Sequence, residues 1–167
     1  MLTPEYLIGH FRMTRHPEGG YFVETYRSHE LVERSALPER FSGNRTFSTA
    51  IYFLLVGDEF SSFHRIKSDE TWHFYAGVAC EVVMIAPDGT LSVVLLGNEL
   101  EKGHCFQFTV PAGYWFASAC TNPDAFSFVG CTVAPGFDFS DFELAKQEEL
   151  ITMFPQHSKK IKDYCRQ

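Results

Sequence analysis

The chain has 167 residues, of which 45% are hydrophobic and 21% charged, and its formal net charge is −7. This length suits one domain with a substantial core, and the apolar content excludes a disordered chain. Proteins that bind nucleic acids need a basic face for the phosphates. Because the charge is negative and the sequence contains no cluster of Lys and Arg that could supply such a face, we expect no nucleic-acid partner.

The location of the protein is predicted from its apolar segments and cysteines. No run of about 18 apolar residues is present to span a bilayer, and the first twenty residues lack the pattern of a signal peptide. The five cysteines form no C-x-x-C pair, which favours reduced structural thiols. The sequence therefore predicts a cytoplasmic protein without a membrane partner.

The first predicted elements are a short helix and a strand. Thr3 can cap the helix and Pro4 suits its first position. The segment HPEGGYFVETYRS then indicates a turn at Gly19-Gly20 that leads into a strand over 21–27. Residues 28–44 are polar and are predicted to form a loop.

From residue 46 onward the pattern is almost entirely that of short strands. The segments PDG at 87–89 and NPDA at 122–125 indicate tight turns between them. Strands at this spacing without intervening helices are typical of an antiparallel sandwich or barrel. A last helix is expected from the S-x-x-E capping box at 140–143 to Pro155. The predicted strands are 46–56, 61–67, 71–76, 80–86, 90–96, 105–110, 115–120 and 126–133.

Two spaced motifs carry a resemblance to a known superfamily. The strings that add to it are HPEGGYFVETYRS, STAIYFLL, FHRIKSDETWHFYAG and VPAGYWFA. The chain resembles the cupin superfamily, and more narrowly its cupin-5-type branch, long catalogued as a domain of unknown function. This resemblance implies an all-β fold, the cupin double-stranded β-helix or jelly-roll barrel, as a single domain over 1–167 with short helices at both ends. The motif positions are Gly57, His64, Glu70 and Gly77 for the first motif, and Gly103, Pro111 and Gly113 for the second.

The ligand positions of metal-binding cupins are only half filled. The resemblance implies four ligands, two of which would fall on Ile66 and Phe116, leaving His64 and Glu70. A catalytic metal site generally needs three protein ligands. We therefore expect no resident cofactor. A divalent metal remains an alternative if His73 joins the cavity, which requires a bulge because Glu70 and His73 face opposite sides of a regular strand.

Alternation along the strands predicts the centre of the site. With His64 facing inward, as the resemblance implies, Glu70, Trp72 and Phe74 should share its cavity. The turn at 67–69 then brings His64 and Glu70 together. A carboxylate beside an imidazole favours its charged form, so the pair can exchange a proton near neutral pH. The alternative is a structural pair that satisfies two buried polar groups.

Further ligand-binding candidates come from strands that the resemblance places across the cavity. Arg27 suits an anionic group such as a carboxylate or a phosphate, and Phe116 would form an apolar wall. No role is predicted for the histidines His10, His16, His29, His104 and His157. The complete set of predicted ligand-binding residues is His73, Trp72, Phe74, Tyr52, Arg27, Trp115 and Phe116.

These residues support three functional hypotheses. The first is a protein that binds a small polar molecule, such as a sugar or nucleotide-sugar, with acid–base chemistry of the isomerase or epimerase type. Its chemistry rests on analogy with metal-free sugar-epimerase cupins. The second is a metal-dependent enzyme that uses His64, Glu70 and His73, and the third is a binding protein without catalysis. A homodimer is expected in every case, because jelly rolls expose sheet edges and faces.

Overall fold

The computed structural model of the protein describes residues 2–166, and these residues form β-strands with three short α-helices. The helices are α1 (Pro4–Phe11), α2 (Gln147–Met153) and α3 (Ser158–Tyr164). The strands are β1 (Thr14–Arg15), β2 (Tyr21–Arg27), β3 (Leu31–Val32), β4 (Arg45–Thr46), β5 (Thr49–Val56), β6 (Phe60–Arg65), β7 (Asp69–Gly77), β8 (Cys80–Ile85), β9 (Leu91–Leu96), β10 (Gln107–Val110), β11 (Trp115–Cys120), β12 (Phe126–Ala134) and β13 (Glu143–Leu144).

Two antiparallel sheets face each other across the main core. The six-stranded sheet has the order β1-β2-β5-β12-β7-β10, and the five-stranded sheet has the order β13-β6-β11-β8-β9. Phe53 and Trp72 from the first sheet pack in one buried cluster with Val82 and Phe116 from the second. The predicted all-β jelly roll is therefore confirmed.

The five-stranded sheet is buried on both faces at its central strands. Its outer face packs under α2 and α3, where Phe63 and Trp115 meet Leu150 and Ile161. Strands buried on both sides contain nearly continuous apolar runs, as in the CEVVMI segment of β8. The six-stranded sheet is covered on its outer side by α1, which inserts Leu7.

All of the predicted strands are present. Those at 21–27 and 115–120 have the predicted boundaries, and the others are shifted by up to three residues at one or both ends. The first helix is also confirmed, because the Thr3 hydroxyl accepts a hydrogen bond from the Tyr6 N–H at 3.2 Å. Among the described residues, no helix is long and apolar enough to cross a membrane.

The predicted capping box at 140–143 is wrong. Ser140 lies in a 3₁₀ turn that Asp138 caps, while Glu143 begins β13, and α2 starts only at Gln147. Glu143 and Leu144 pair with β6. Strand pairing across the fold therefore outweighs the local helix signal. The chain also continues into α3 beyond Pro155.

Candidate functional site

A cavity of about 80 Å³ lies on the inner side of the six-stranded sheet, next to β6. Two of its charged side chains, Glu24 and Arg27, are about 40% exposed, so the cavity meets solvent at their end. The wall combines aromatic side chains with ionisable ones. The aromatic wall consists of Phe22, Phe53, Trp72, Phe137, Phe139 and Phe142.

Strand alternation places three of the inner side chains. On β6, His64 faces the cavity while its neighbour Phe63 packs on the opposite side under the helices. On β7, Glu70 and Trp72 are two residues apart and both line the cavity. The period of two along a strand thus fixes this part of the site.

A tight loop before β2 brings in Glu18. The carbonyl of Glu18 accepts a hydrogen bond from the Ser62 N–H at 2.8 Å, which fastens the loop to β6. Gly19 has a φ of +120°, and a Cβ there would lie 2.2 Å from the Phe60 carbonyl oxygen. Only glycine allows this close approach, so the glycine pair of the HPEGG segment is what sets Glu18 beneath β6.

Glu18 is the centre of a buried polar cluster. Its Oε2 atom lies 3.1 Å from Nε2 of His64 and 3.3 Å from Nδ1 of His16. Its Oε1 atom accepts a hydrogen bond from the Ser61 hydroxyl at 2.9 Å. Glu18 is 7% exposed and His64 2% exposed, so water screens this cluster little.

The contact between His64 and Glu18 needs one proton. Nδ1 of His64 lies 2.7 Å from the carbonyl oxygen of Ser62, which can only accept, so Nδ1 carries a hydrogen. Nε2 then faces a carboxylate oxygen at 3.1 Å. Two lone pairs at that distance repel each other. The pair therefore either holds one shared proton or is arranged to accept one.

Both members of the pair titrate below their ordinary ranges. Burial raises the pKa of Glu18, but the His64 charge and hydrogen bonds from His16 and Ser61 outweigh it, so the pKa of Glu18 is lowered. Burial lowers the pKa of His64, and attraction to Glu18 opposes this only in part. A proton on His64 is thus held less tightly than in water.

Glu70 is a second carboxyl group with the opposite behaviour. Burial, followed by repulsion from Glu18, raises its pKa to about 8, and a hydrogen bond with the Cys131 thiol offsets this only in part. Glu70 is therefore neutral at pH 7 and has an O–H to donate. One cavity thus contains an ionised carboxylate and a neutral carboxylic acid.

Comparison with known proteins identifies the family. Residues 5–145 match the family described as the cupin superfamily, DUF985. The chain belongs to the cupin superfamily. It is similar to protein SO0799 from Shewanella oneidensis, with 40% identity, 99% of each chain covered and a TM-score of 0.90. It is also 32% identical over 152 residues to the uncharacterized protein YML079W of Saccharomyces cerevisiae, covering 86% of this chain and 75% of that protein.

A more distant similarity shows the fold alone. Oxalate decarboxylase from Bacillus subtilis is 14% identical, with a TM-score of 0.55 over 90% of this cupin and 36% of that chain.

The structure brings together some of the residues that the sequence predicted for this cupin. His64, Glu70, Trp72 and Arg27 all line the cavity. Phe116 packs its ring 4.1 Å from the His64 ring, centroid to centroid. Within the described part of the chain, however, the carboxylate within hydrogen-bond distance of His64 is Glu18, and not the predicted Glu70.

Four predicted residues lie elsewhere. Tyr52 packs on the outer face of the six-stranded sheet. His73 lies on that face as well, where its Nε2 contacts the Thr132 hydroxyl at 3.1 Å. Trp115 packs under α2 and α3. Phe74 packs against the main core and does not line the cavity. Each of the first three is a strand neighbour of an inward residue, so alternation turns it away.

Two ionisable residues of the cluster around His64, namely His16 and Glu18, were not predicted from the sequence. Both lie in the HPEGG string that contributes to the family resemblance. The signal available in the sequence was a pair of ionisable residues directly before two glycines. Their arrangement depends on a loop, which alternation cannot place.

The residues of this cavity do not fit the metal that the fold family implies. Both nitrogens of His64 are engaged, and Ile66 and Phe116 supply hydrocarbon where ligands would be needed. The register of β7 with β12 is regular past His73 and shifts only beyond Phe74, so no bulge brings His73 inward. The described residues contain no group of three or more His, Cys, Asp or Glu that could hold a metal ion.

Proposed function

We propose that this cupin binds a small polar molecule in its cavity and moves a proton to and from it through the His64–Glu18 pair. The supporting observation is the 3.1 Å contact between Nε2 and Oε2, with Nδ1 already committed to a backbone carbonyl. A buried pair arranged to accept one proton is what general acid–base catalysis requires. Glu18 thus takes the role that was predicted for Glu70 as the partner of His64.

The two carboxyl groups support a reaction of the isomerase or epimerase type. Such a reaction removes a proton from carbon and later returns one, so it needs a base for that proton and a hydrogen-bond donor for the oxygen on which negative charge develops. The pKa of Glu18 is lowered and that of Glu70 is raised to about 8 in the same cavity. When the surroundings of two carboxyl groups shift their pKa values in opposite directions, the group with the lower pKa can act as the base and the group with the higher pKa as the acid.

The size of the cavity favours a compact ligand. Sites for drug-sized molecules typically measure about 300–1,000 Å³, and this cavity measures about 80 Å³. A single sugar or a smaller compound is therefore favoured over a nucleotide-sugar. Arg27 at the open end is paired with Glu24 at 2.7 Å. An anionic group on the ligand would have to compete with that pair.

The proposal is tested by hydrogen–deuterium exchange at carbon. Purified protein is incubated in D₂O with a panel of compact sugars and hydroxyketones, and C–H exchange is followed by NMR. We expect exchange in at least one compound, and a loss of about 10²–10⁴-fold in His64→Gln and in Glu18→Gln. Melting temperatures measured in parallel distinguish lost chemistry from lost folding.

Matched controls are available on the surface of α1. His10 and Glu5 are exposed there, so His10→Gln and Glu5→Gln should leave exchange unchanged. Exchange that persists in folded His64→Gln would refute the proton-transfer role. Binding without exchange in the wild type would instead support a binding protein.

We further propose that this cupin is a homodimer in a reducing, cytoplasmic setting. Its five cysteines are free thiols. Tyr75 is about half exposed on the outer face of the six-stranded sheet, beside Tyr52 and Phe128, and β9 and β10 are sheet edges. Sedimentation should give twice the chain mass of 19.0 kDa. A species of 19.0 kDa at micromolar concentration would rule out the dimer.

A further inference from the structure

The indole N–H of Trp72 is a buried hydrogen-bond donor without a partner in the described part of the chain. Trp72 is 1% exposed and lines the cavity, and within residues 2–166 its Nε1 atom has no hydrogen-bond acceptor. Buried polar groups in folded proteins are nearly always paired, since an unpaired donor carries its full desolvation penalty. An acceptor atom on a bound ligand would remove that penalty.

A second donor lies on the same face of the same strand. Glu70 precedes Trp72 by two residues on β7, and β12 places Cys131 opposite Trp72. Glu70 is 8% exposed and faces the same cavity. Because its pKa is about 8, it is a carboxylic acid at pH 7 and has an O–H to donate.

The surroundings of these donors are apolar. The Trp72 ring packs edge-on against Phe53 at 6.0 Å and Phe116 at 6.3 Å, centroid to centroid. Hydrogen bonds are electrostatically stronger in such a low-dielectric site, and fixed donors there stabilise negative charge that develops on oxygen.

We propose that the Trp72 indole N–H and the Glu70 carboxyl group together bind the carbonyl oxygen of the ligand, which makes the substrate class a small ketone or aldehyde with a hydrogen on the adjacent carbon. This inference rests on the proposed function, whose proton-transfer pair stands in the same cavity. It adds the functional group that the site recognises.

The chemical step balances without a further reactant. The His64–Glu18 pair, without its shared proton, takes a proton from the carbon next to the carbonyl. The electrons of that C–H bond form a carbon–carbon double bond, and the carbonyl π electrons move to the oxygen held by Trp72 and Glu70. Return of a proton to carbon restores the carbonyl and frees the pair.

The carbonyl site is tested by NMR of the two indole groups, Trp72 and Trp115. The probes are hydroxyacetone and propane-1,2-diol. They differ only at the central carbon, which is a carbonyl in hydroxyacetone and bears a hydroxyl in the diol. A ligand of five non-hydrogen atoms binds weakly, so high millimolar concentrations are used. We expect hydroxyacetone to shift the Trp72 indole N–H resonance, assigned by its loss in Trp72→Phe, and the diol to leave it in place.

The protein contains its own controls for this measurement. Trp115 packs under the helices, away from the cavity, so its indole signal should stay fixed with both probes. Trp72→Phe should weaken hydroxyacetone binding about tenfold, the effect of losing one buried hydrogen bond. A Trp72 signal that does not move, or that moves equally with the diol, overturns the inference.

Glu70 is tested through the pH dependence of hydroxyacetone binding. Wild-type affinity should fall as pH rises through about 8, where Glu70 loses its O–H. In Glu70→Gln the amide still donates and cannot ionise, so this fall should disappear, whereas Glu70→Leu should bind weakly at every pH. Other groups that titrate or carry charge around the cavity stay the same in this comparison, namely His16, Glu18, Glu24, Arg27, His64 and Cys131.

The outcomes separate this inference from the proposed function. If hydroxyacetone shifts Trp72 in both wild type and His64→Gln but carbon exchange is the same in the two proteins, the carbonyl site stands and the proton-transfer role fails. If exchange depends on His64 but Trp72 and Glu70 variants bind and exchange as wild type does, the carbonyl site fails. A pH fall that persists in Glu70→Gln also refutes the role of Glu70.

Discussion

Replacing Asp141 by Asn is expected to lower the free energy of unfolding by about 3–5 kcal/mol. Asp141 pairs with Arg45 through two contacts, from Nε to Oδ2 and from Nη2 to Oδ1, both 2.6 Å long. Both side chains are about 95% buried. The substitution leaves the Arg45 guanidinium buried without its counter-charge, and burying an unpaired charge is costly.

Urea unfolding of the wild type and Asp141→Asn measures this effect. The control is Glu143→Gln, which breaks the exposed pair between Arg65 and Glu143 at 2.8 Å and should cost less than about 1 kcal/mol. A second variant, Arg45→Met with Asp141→Leu, removes both charges and should recover most of the lost stability. Equal losses in the single and double variants would show that the unpaired charge is not the cause.

The same ion pair also holds a segment of the cavity wall in place. Asp141 lies between Phe139 and Phe142, both of which line the cavity wall. Phe142 packs 5.4 Å from the His64 ring, centroid to centroid. A loss of ligand binding in Asp141→Asn is therefore expected alongside its loss of stability, whereas Glu143→Gln should bind normally.

Strand periodicity explains why part of the site could be predicted from the sequence. Once His64 faces inward, the period of two places Glu70 and Trp72 correctly, because β7 pairs with β12 in regular register over these residues. The same rule argues against the predicted position of Trp115 in the cavity. Since Phe116 faces His64, its strand neighbour must face the other way, so the two could not both line the cavity.

The residues that could not be predicted depend on contacts distant in the chain. Glu18 reaches His64 because a loop is fastened to β6 by the Ser62 N–H, and no periodic pattern encodes this. The capping box at 140–143 failed for a similar reason, since the pairing of Glu143 with Arg65 in β6 decides the local structure. Local patterns specify strands well, and they specify loop placement poorly.

Replacing Glu70 by Gln is expected to stabilise the protein at neutral and alkaline pH but not at acid pH. The pKa of Glu70 is about 8 in the folded protein against an ordinary value of 4.5. A group whose pKa is raised by folding binds its proton more tightly in the folded state. Its favourable contribution is therefore complete below pH 4.5 and is lost as pH rises through about 8.

At pH 7 Glu70 is ionised in the unfolded chain and neutral in the folded protein. This difference lowers the free energy of unfolding of the wild type by about 3 kcal/mol relative to the amide variant. The free energy of unfolding of both proteins should therefore be measured by urea titration from pH 4 to pH 9. The gain in Glu70→Gln should be near zero at pH 4, grow through neutral pH and level off above about pH 8, while the exposed control Glu5→Gln shows no such trend. A gain that is constant with pH would mean that Glu70 ionises equally in both states. Its carboxyl group would then have no proton to donate to a carbonyl oxygen at pH 7, so this stability measurement also tests the carbonyl site without any ligand.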